Sequence, residues 1–145
     1  MKPVVTWVVL ANARAARALE NRGPGKGLVD LNGMNWLAEP ATVPRDRAGV
    51  GHSSAGPGIS AVEQSDPQIH ADKRFAQTVS EKLSKAFTAK KFDRLVIVAG
   101  PRMMGLMRSS LDHRVRASVT GEIAKDLSAL PLDVVETHLG EIIVV

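Results

Sequence analysis

The sequence predicts an α/β fold, and three observations carry the prediction. Residues 4–11, "VVTWVVLA", and 94–100, "RLVIVAG", are nearly continuous apolar runs rich in β-branched side chains, the pattern of strands covered on both faces. Between them, residues 66–89 repeat apolar side chains at helical spacing. A strand that follows a helix of that length implies a parallel crossover. The 145 residues suit one domain, 1–145, which would bury roughly two thirds of the surface exposed by the unfolded chain. With two Trp, three Phe and no Tyr, packing falls to aliphatic side chains and the core should be aliphatic.

Each element has its own local argument. In residues 4–11 the β-branched side chains, with Thr6 and Trp7, favour a buried strand. Lys2, the apolar run and Ala11-Asn12-Ala13 loosely imitate a secretory signal. One lysine and a short run argue against export, and no later run approaches bilayer-spanning length. By propensity alone "NARAARALE", residues 12–20, reads as helix. "NRGPGKG", residues 21–27, is a turn, and "LVDLNGMNWL", residues 28–37, alternates as a strand. From about 39 to 66 there is little periodicity; prolines at 40, 44 and 57 and glycines at 49, 51, 56 and 58 mark a long flexible loop, a length usually reserved for function or disorder. Asp66-Pro67 opens a helix to about Ala89, with a side-chain oxygen for a free amide and proline where no donor is needed. Ile69, Ala76, Val79, Leu83 and Phe87 form its apolar stripe, and Lys73, Gln77, Lys82 and Lys85 lie outside it. Residues 103–111 read as a short helix. Residues 112–130 fit both a helix, on Val115, Val119, Ile123 and Leu127, and a strand through Val119, Gly121 and Ile123. Pro131 opens a last helix carrying Leu132, Val135 and Leu139 before a β-branched tail. No internal repeat and no second domain boundary is visible.

The chemistry is mostly defined by exclusion. Without cysteine there is no disulfide and no thiolate metal site, which suits a reducing compartment and a cytoplasmic protein. "GPGKG" is not a phosphate-binding P-loop, because Lys26 is followed by Gly27 and position 20 is Glu. Gly49-Val50-Gly51 is no dinucleotide fingerprint, since Ser54 stands where the third glycine belongs. His52, His70, His113 and His138 show no ligand spacing, so neither metal nor cofactor is expected. His52 beside Ser53 and Ser54 lacks the nucleophile elbow of a hydrolase. The net charge is +4, but residues 91–116 hold six Lys or Arg against two acids, while residues 117–145 hold one against five. Arg102, Arg108, Arg114 and Arg116 should gather about the end of the second buried strand, where open α/β sheets place their crevice, and meet a polyanion there.

Taken as a set, "TWVVLANARAARALENRGPGKGL", "GHSSAGPG", "SDPQIHADKRFAQTVSEKL", "FDRLVIVAGPRMMGLMR" and "EIAKDLSALPLDVVETHL" resemble the bacterial host attachment family over nearly the whole chain. That family is similar to the central domain of archaeo-eukaryotic release factors and Pelota-type ribosome rescue factors, a three-layer ribonuclease-H-like fold. The resemblance implies that residues 4–37 form an antiparallel three-strand meander, overriding the helical propensity of residues 12–20, and that residues 119–126 hold a strand. It places the loop Gly49, Gly51, His52, Ser53, Ser54 and Gln64 where release factors carry a Gly-Gly-Gln motif. Here no Gly-Gly pair occurs and Gln64 follows Val62 and Glu63, so release chemistry does not carry over. What remains implied is a cytoplasmic module that meets the ribosome or transfer RNA through Arg45, Arg47 and the four later arginines. A hydrolase of peptidyl-tRNA or another ester, and an adhesion factor at the cell surface, are the alternatives.

Overall fold

The structure, a computed structural model, describes residues 4–39, 66–140 and 142. The loop expected at about 39–66 therefore lies, apart from its ends, outside the described residues.

Strands β1 (Thr6–Ala11), β2 (Ala15–Asn21) and β3 (Val29–Leu37) form the meander. Helix α1 (Pro67–Thr88) leads to β4 (Arg94–Ala99), and α2 (Pro101–Ser110) and the single turn α3 (His113–Ala117) lead to β5 (Val119–Ile123). Helix α4 (Leu132–Leu139) follows. The sheet order is β3-β2-β1-β4-β5, with β1, β4 and β5 mutually parallel and only β2 reversed. This is the ribonuclease-H-like arrangement that the resemblance implied.

Parity along the central strands sorts the core into two layers. Trp7, Val9 and Ala11 of β1, with Leu95, Ile97 and Ala99 of β4, pack beneath Phe75, Ala76, Val79 and Leu83 of α1 and Met103, Met104 and Met107 of α2. The alternate residues Val8, Leu10, Val96 and Val98 pack with Leu19 beneath Leu127, Val135 and Leu139 on the other face. Both apolar runs are buried on both sides because each face has its own helical cover.

Residues 15–21 are strand despite strong helix formers. Ala16 and Ala18 fit beneath α1 as small side chains, Leu19 fills the opposite layer, and the register Ala11↔Ala16 to Thr6↔Asn21 pairs residues 16–21 with β1. Pairing and two-sided burial outweigh a propensity of a few tenths of a kcal/mol per residue. Asn12 closes the hairpin: its Oδ1 accepts from the amides of Arg14 and Ala15, both at 2.8 Å.

Helix α1 starts as its sequence dictates, with the Asp66 carboxylate accepting from the Gln68 amide and Pro67 in the first turn. Of the expected stripe, Ala76, Val79 and Leu83 are fully buried, but Ile69 is 44% exposed. Phe75, Asp72 and Ser80 complete the buried face instead. The segment 112–130 resolves into both readings in sequence: a helical turn at His113–Ala117, then the strand Val119–Ile123. On β5, a Cβ at Gly121 would collide with the side chain of Ile142, so glycine there is what lets the chain after α4 seat against the strand.

Leu83→Ala, at a fully buried position, is expected to lower the unfolding free energy by about 2–5 kcal/mol. Asp66→Ala, which removes the helix cap, is expected to cost about 1 kcal/mol. Urea unfolding monitored by circular dichroism measures both, and the core variant should be the weaker.

Candidate functional site

Of the residues singled out in the sequence, Arg45, Arg47, Gly49, Gly51, His52, Ser53, Ser54 and Gln64 lie outside the described residues. The four later arginines do not share a crevice. Arg102 stands at the carboxyl end of β4 and pairs with buried Asp72 at 3.2 Å. Arg108 spreads its fork over Glu122 of β5, with nitrogens at 2.6 and 3.0 Å. Arg114 turns towards Asp112 and the Thr88 hydroxyl, and Arg116 donates to the Arg108 carbonyl. Helix α2 runs back along the sheet from Arg102, so the expected cluster is strung along the fold instead of gathered at one end. A cleft of about 500 Å³ lined by Ile97, Arg108, Ser109, Leu111, Arg116, Val119 and Glu122 holds two of them. There the Arg108 fork is already satisfied by a carboxylate.

The carboxyl-end crevice is equally committed. Asn12 Nδ2 donates to the Ser128 hydroxyl at 2.8 Å and to Asp126 at 3.3 Å, and Asp126 accepts from the Ser128 amide and hydroxyl. Asp72 accepts from Gln68 at 2.6 Å besides Arg102. These contacts tie the end of β1 to the segment before α4 and the start of α1 to α2. Among the described residues no group of three or more His, Asp or Glu is placed to hold a metal ion.

The amino ends of the same strands differ. Thr6 lies abreast of Asn21 on one side and Arg94 on the other. One polar row, two strand spacings or about 10 Å wide, therefore crosses β2, β1 and β4. By parity it lies on the face whose next row is Leu19, Val8 and Val96, all fully buried. The row floors a cleft of about 600 Å³ whose other walls are Val4, Arg22, Gly23, Pro24, Lys26, Thr120 and Ile142. Thr6 is only 7% exposed, and its hydroxyl takes part in no hydrogen bond among the described residues.

The rim is built by the β2–β3 turn. Gly23, Gly25 and Gly27 all have positive φ, which side chains other than glycine's disfavour. The Asn21 side chain holds the turn, donating to the Gly27 carbonyl at 2.9 Å and accepting from the Gly23 amide at 3.1 Å. Arg22 and Lys26 are thereby carried to the mouth. Neither Lys26 nor Arg94 forms an ion pair among the described residues, whereas Arg22 meets Glu20 at 2.6 Å. Lys90 and Lys91 sit exposed just before β4, at the same end of the sheet. Positive charge thus concentrates at the amino ends, the pole opposite to the one the sequence pointed to.

Glu20 stands on the opposite face of the sheet, beside Trp7. Buried at 9% exposure, it accepts from Trp7 Nε1 at 3.1 Å through one oxygen and from Arg22 through the other. The hydrogen bond to Glu20, and then its charge, hold the Arg22 guanidinium above its already high ordinary pKa. Elsewhere, the Arg108 hydrogen bond holds the Glu122 carboxyl below the ordinary range, with partial desolvation opposing. The Ser128 hydroxyl does the same for Asp126, again against desolvation.

Fold and cleft together define an α/β protein of ribonuclease-H-like topology with a cationic cleft at the amino ends of its central strands. The chain belongs to the family described as protein required for attachment to host cells, whose model matches residues 7–139. An uncharacterized protein of Rickettsia prowazekii (strain Madrid E) is 41% identical over 66 residues, 44% of either chain, so the match spans less than half of that relative. Among solved structures, an archaeal translation termination factor aligns with 87% of this chain and 32% of its own, at 13% identity and a TM-score of 0.47. No helix among the described residues is long and apolar enough to cross a membrane.

Glu20→Ala leaves the buried Trp7 Nε1 without its acceptor and is expected to cost about 1–3 kcal/mol, with a change in tryptophan fluorescence before unfolding. Because the Asp126 and Glu122 pKa values are depressed in the folded state, their contribution is present above the ordinary carboxylate range near pH 4 and is lost as pH falls through the folded values. Acid titration should show stability falling below about pH 4, and Asp126→Asn should flatten that fall.

Proposed function

We propose that this member of the host attachment family is an RNA-binding module of the cytoplasm, engaging phosphates through the amino-end pole of its sheet, with transfer RNA or ribosomal RNA as its partner. The observation that carries the reading is the polar row Asn21, Thr6 and Arg94 on an otherwise apolar face, flanked by Arg22 and Lys26. Within the row Thr6 and Asn21 are buried and Arg94 is exposed, so a charged group stands open at the end of a face whose next residues are fully buried. Lys26, Arg94, Lys90 and Lys91 present cations without internal partners among the described residues, the condition under which phosphate contacts release counterions and drive binding. Such contacts position a nucleic acid without reading its sequence. A requirement for attachment to host cells then reflects a process inside the cell that attachment depends on, and the protein itself need not touch the host.

Affinity for transfer RNA or purified ribosomes is expected to fall steeply between 50 and 200 mM salt. Lys90→Gln combined with Lys91→Gln should weaken binding uniformly across RNA sequences and reduce the salt slope by about one per charge removed. Filter binding across a salt series measures both. Affinity indifferent to salt, or absent at low salt, overturns the reading.

A further inference from the structure

We propose that the amino-end cleft is a subsite for a phosphomonoester, the phosphorylated end of an RNA strand, in preference to the phosphodiesters along it. The inference rests on the RNA-binding reading and adds to it which part of the RNA enters.

Depth is the first argument. Thr6, a residue 7% exposed, is among those that line the cleft, so only a protruding group reaches it. A phosphodiester is flanked by two sugars and offers two free oxygens from a continuous ribbon. A terminal phosphate projects from one sugar with three. Charge is the second argument. A monoester carries about −1.5 to −2 at neutral pH, against Lys26 and Arg94 in the lining, while Arg22 is held by Glu20 and the nearby Asp93 carboxylate accepts from the Val5 amide. Lys26 and Arg94 with the hydroxyls of Thr6 and Thr120 offer donors for the three oxygens. Size is the third. At about 600 Å³ the cleft exceeds a bare phosphate and falls in the range of small-molecule sites. The apolar walls Val4, Pro24 and Ile142 face the space that the terminal sugar would fill.

The test compares three probes by fluorescence anisotropy or competition at fixed low salt: a short single-stranded oligoribonucleotide with a 5′-phosphate, the same strand with hydroxyl ends, and uridine 5′-monophosphate. The phosphorylated strand is expected to bind about tenfold or more tightly than the hydroxyl-ended one, the scale of hydrogen bonds to a charged group. Thr6→Val, isosteric and well suited to a strand, should remove most of that difference, lowering affinity for the phosphorylated strand by more than affinity for the hydroxyl-ended one. Arg94→Gln should reduce both. Equal affinity for the two strands, or a preference that survives Thr6→Val and Arg94→Gln, overturns the inference and leaves RNA binding standing. Failure of every probe to bind overturns both. Uridine 5′-monophosphate binding as tightly as the phosphorylated strand supports the phosphomonoester site and overturns RNA as its ligand.

Discussion

The side-by-side parallel pairing of β1 and β4, buried on both faces, is the constraint from which the rest of the structure follows. Six residues of each strand pair in unbroken register, Thr6↔Arg94 to Ala11↔Ala99. Two-sided burial obliges the chain to supply a helical cover for each face. Helices α1 and α2 cover the odd-numbered side of both strands, and α4 with Leu127 covers the even-numbered side. The same obligation makes any polar residue in these strands costly unless it is paired or left open to solvent. Thr6 and Arg94 stand at the first position of each strand, Thr6 buried and Arg94 exposed.

Most of the architecture was legible in the sequence because most of it is local. The two apolar runs, the cap and proline at Asp66-Pro67, and the glycine-rich turn at 23–27 each announce themselves within a few residues. Where local signals failed, long-range pairing had decided. Residues 15–21 carry helix formers, and their strand conformation depends on β1 on one side and β3 on the other; only the resemblance to a known fold anticipated it. Residues 112–130 were undecided because a helical turn and a strand meet inside one window, and apolar spacing fits either period across the junction. Ile69 matched the apolar stripe of α1 yet is exposed, since periodicity says which side of a helix faces inward but not how far the sheet extends beneath it.

The candidate site was less legible, for a related reason. The four arginines of residues 102–116 are close in sequence, and that closeness suggested a shared crevice. A helix that runs back along the sheet separates them, and neighbouring carboxylates engage three of the four. The cleft draws instead on residues 4, 6, 21–24, 26, 94, 120 and 142, scattered over the chain and united only by register. A faint signal was present: Thr6 is the one polar residue in the first apolar run, and Arg94 opens the second at the matching position. Recognising the two as neighbours required knowing that the strands are parallel and aligned residue for residue.

The choice of pole has a physical cause. In open α/β sheets the carboxyl ends usually bind ligands, because helix N-termini supply free amides and a favourable dipole there. Here that end is already occupied by its own chain. The Asn12, Asp126 and Ser128 network and the Gln68, Asp72 and Arg102 contacts satisfy the polar groups of the crevice with one another. Any anion entering would have to displace a carboxylate and leave another buried one unpaired. At the amino ends α1 finishes with its carbonyl end, and the single turn α3, which starts beside Thr88, has its first amides capped by Asp112. Attraction for an anion at this pole must come from side chains alone, and Arg22, Lys26, Lys90, Lys91 and Arg94 are the side chains the chain places there. Arg22 is the one of these held by an internal carboxylate, and Glu20 cannot leave it without losing the partner that balances its own burial. The cleft is therefore part fixed and part free: Arg22 is held in place, and the charges of Lys26 and Arg94 are met by solvent or by ligand.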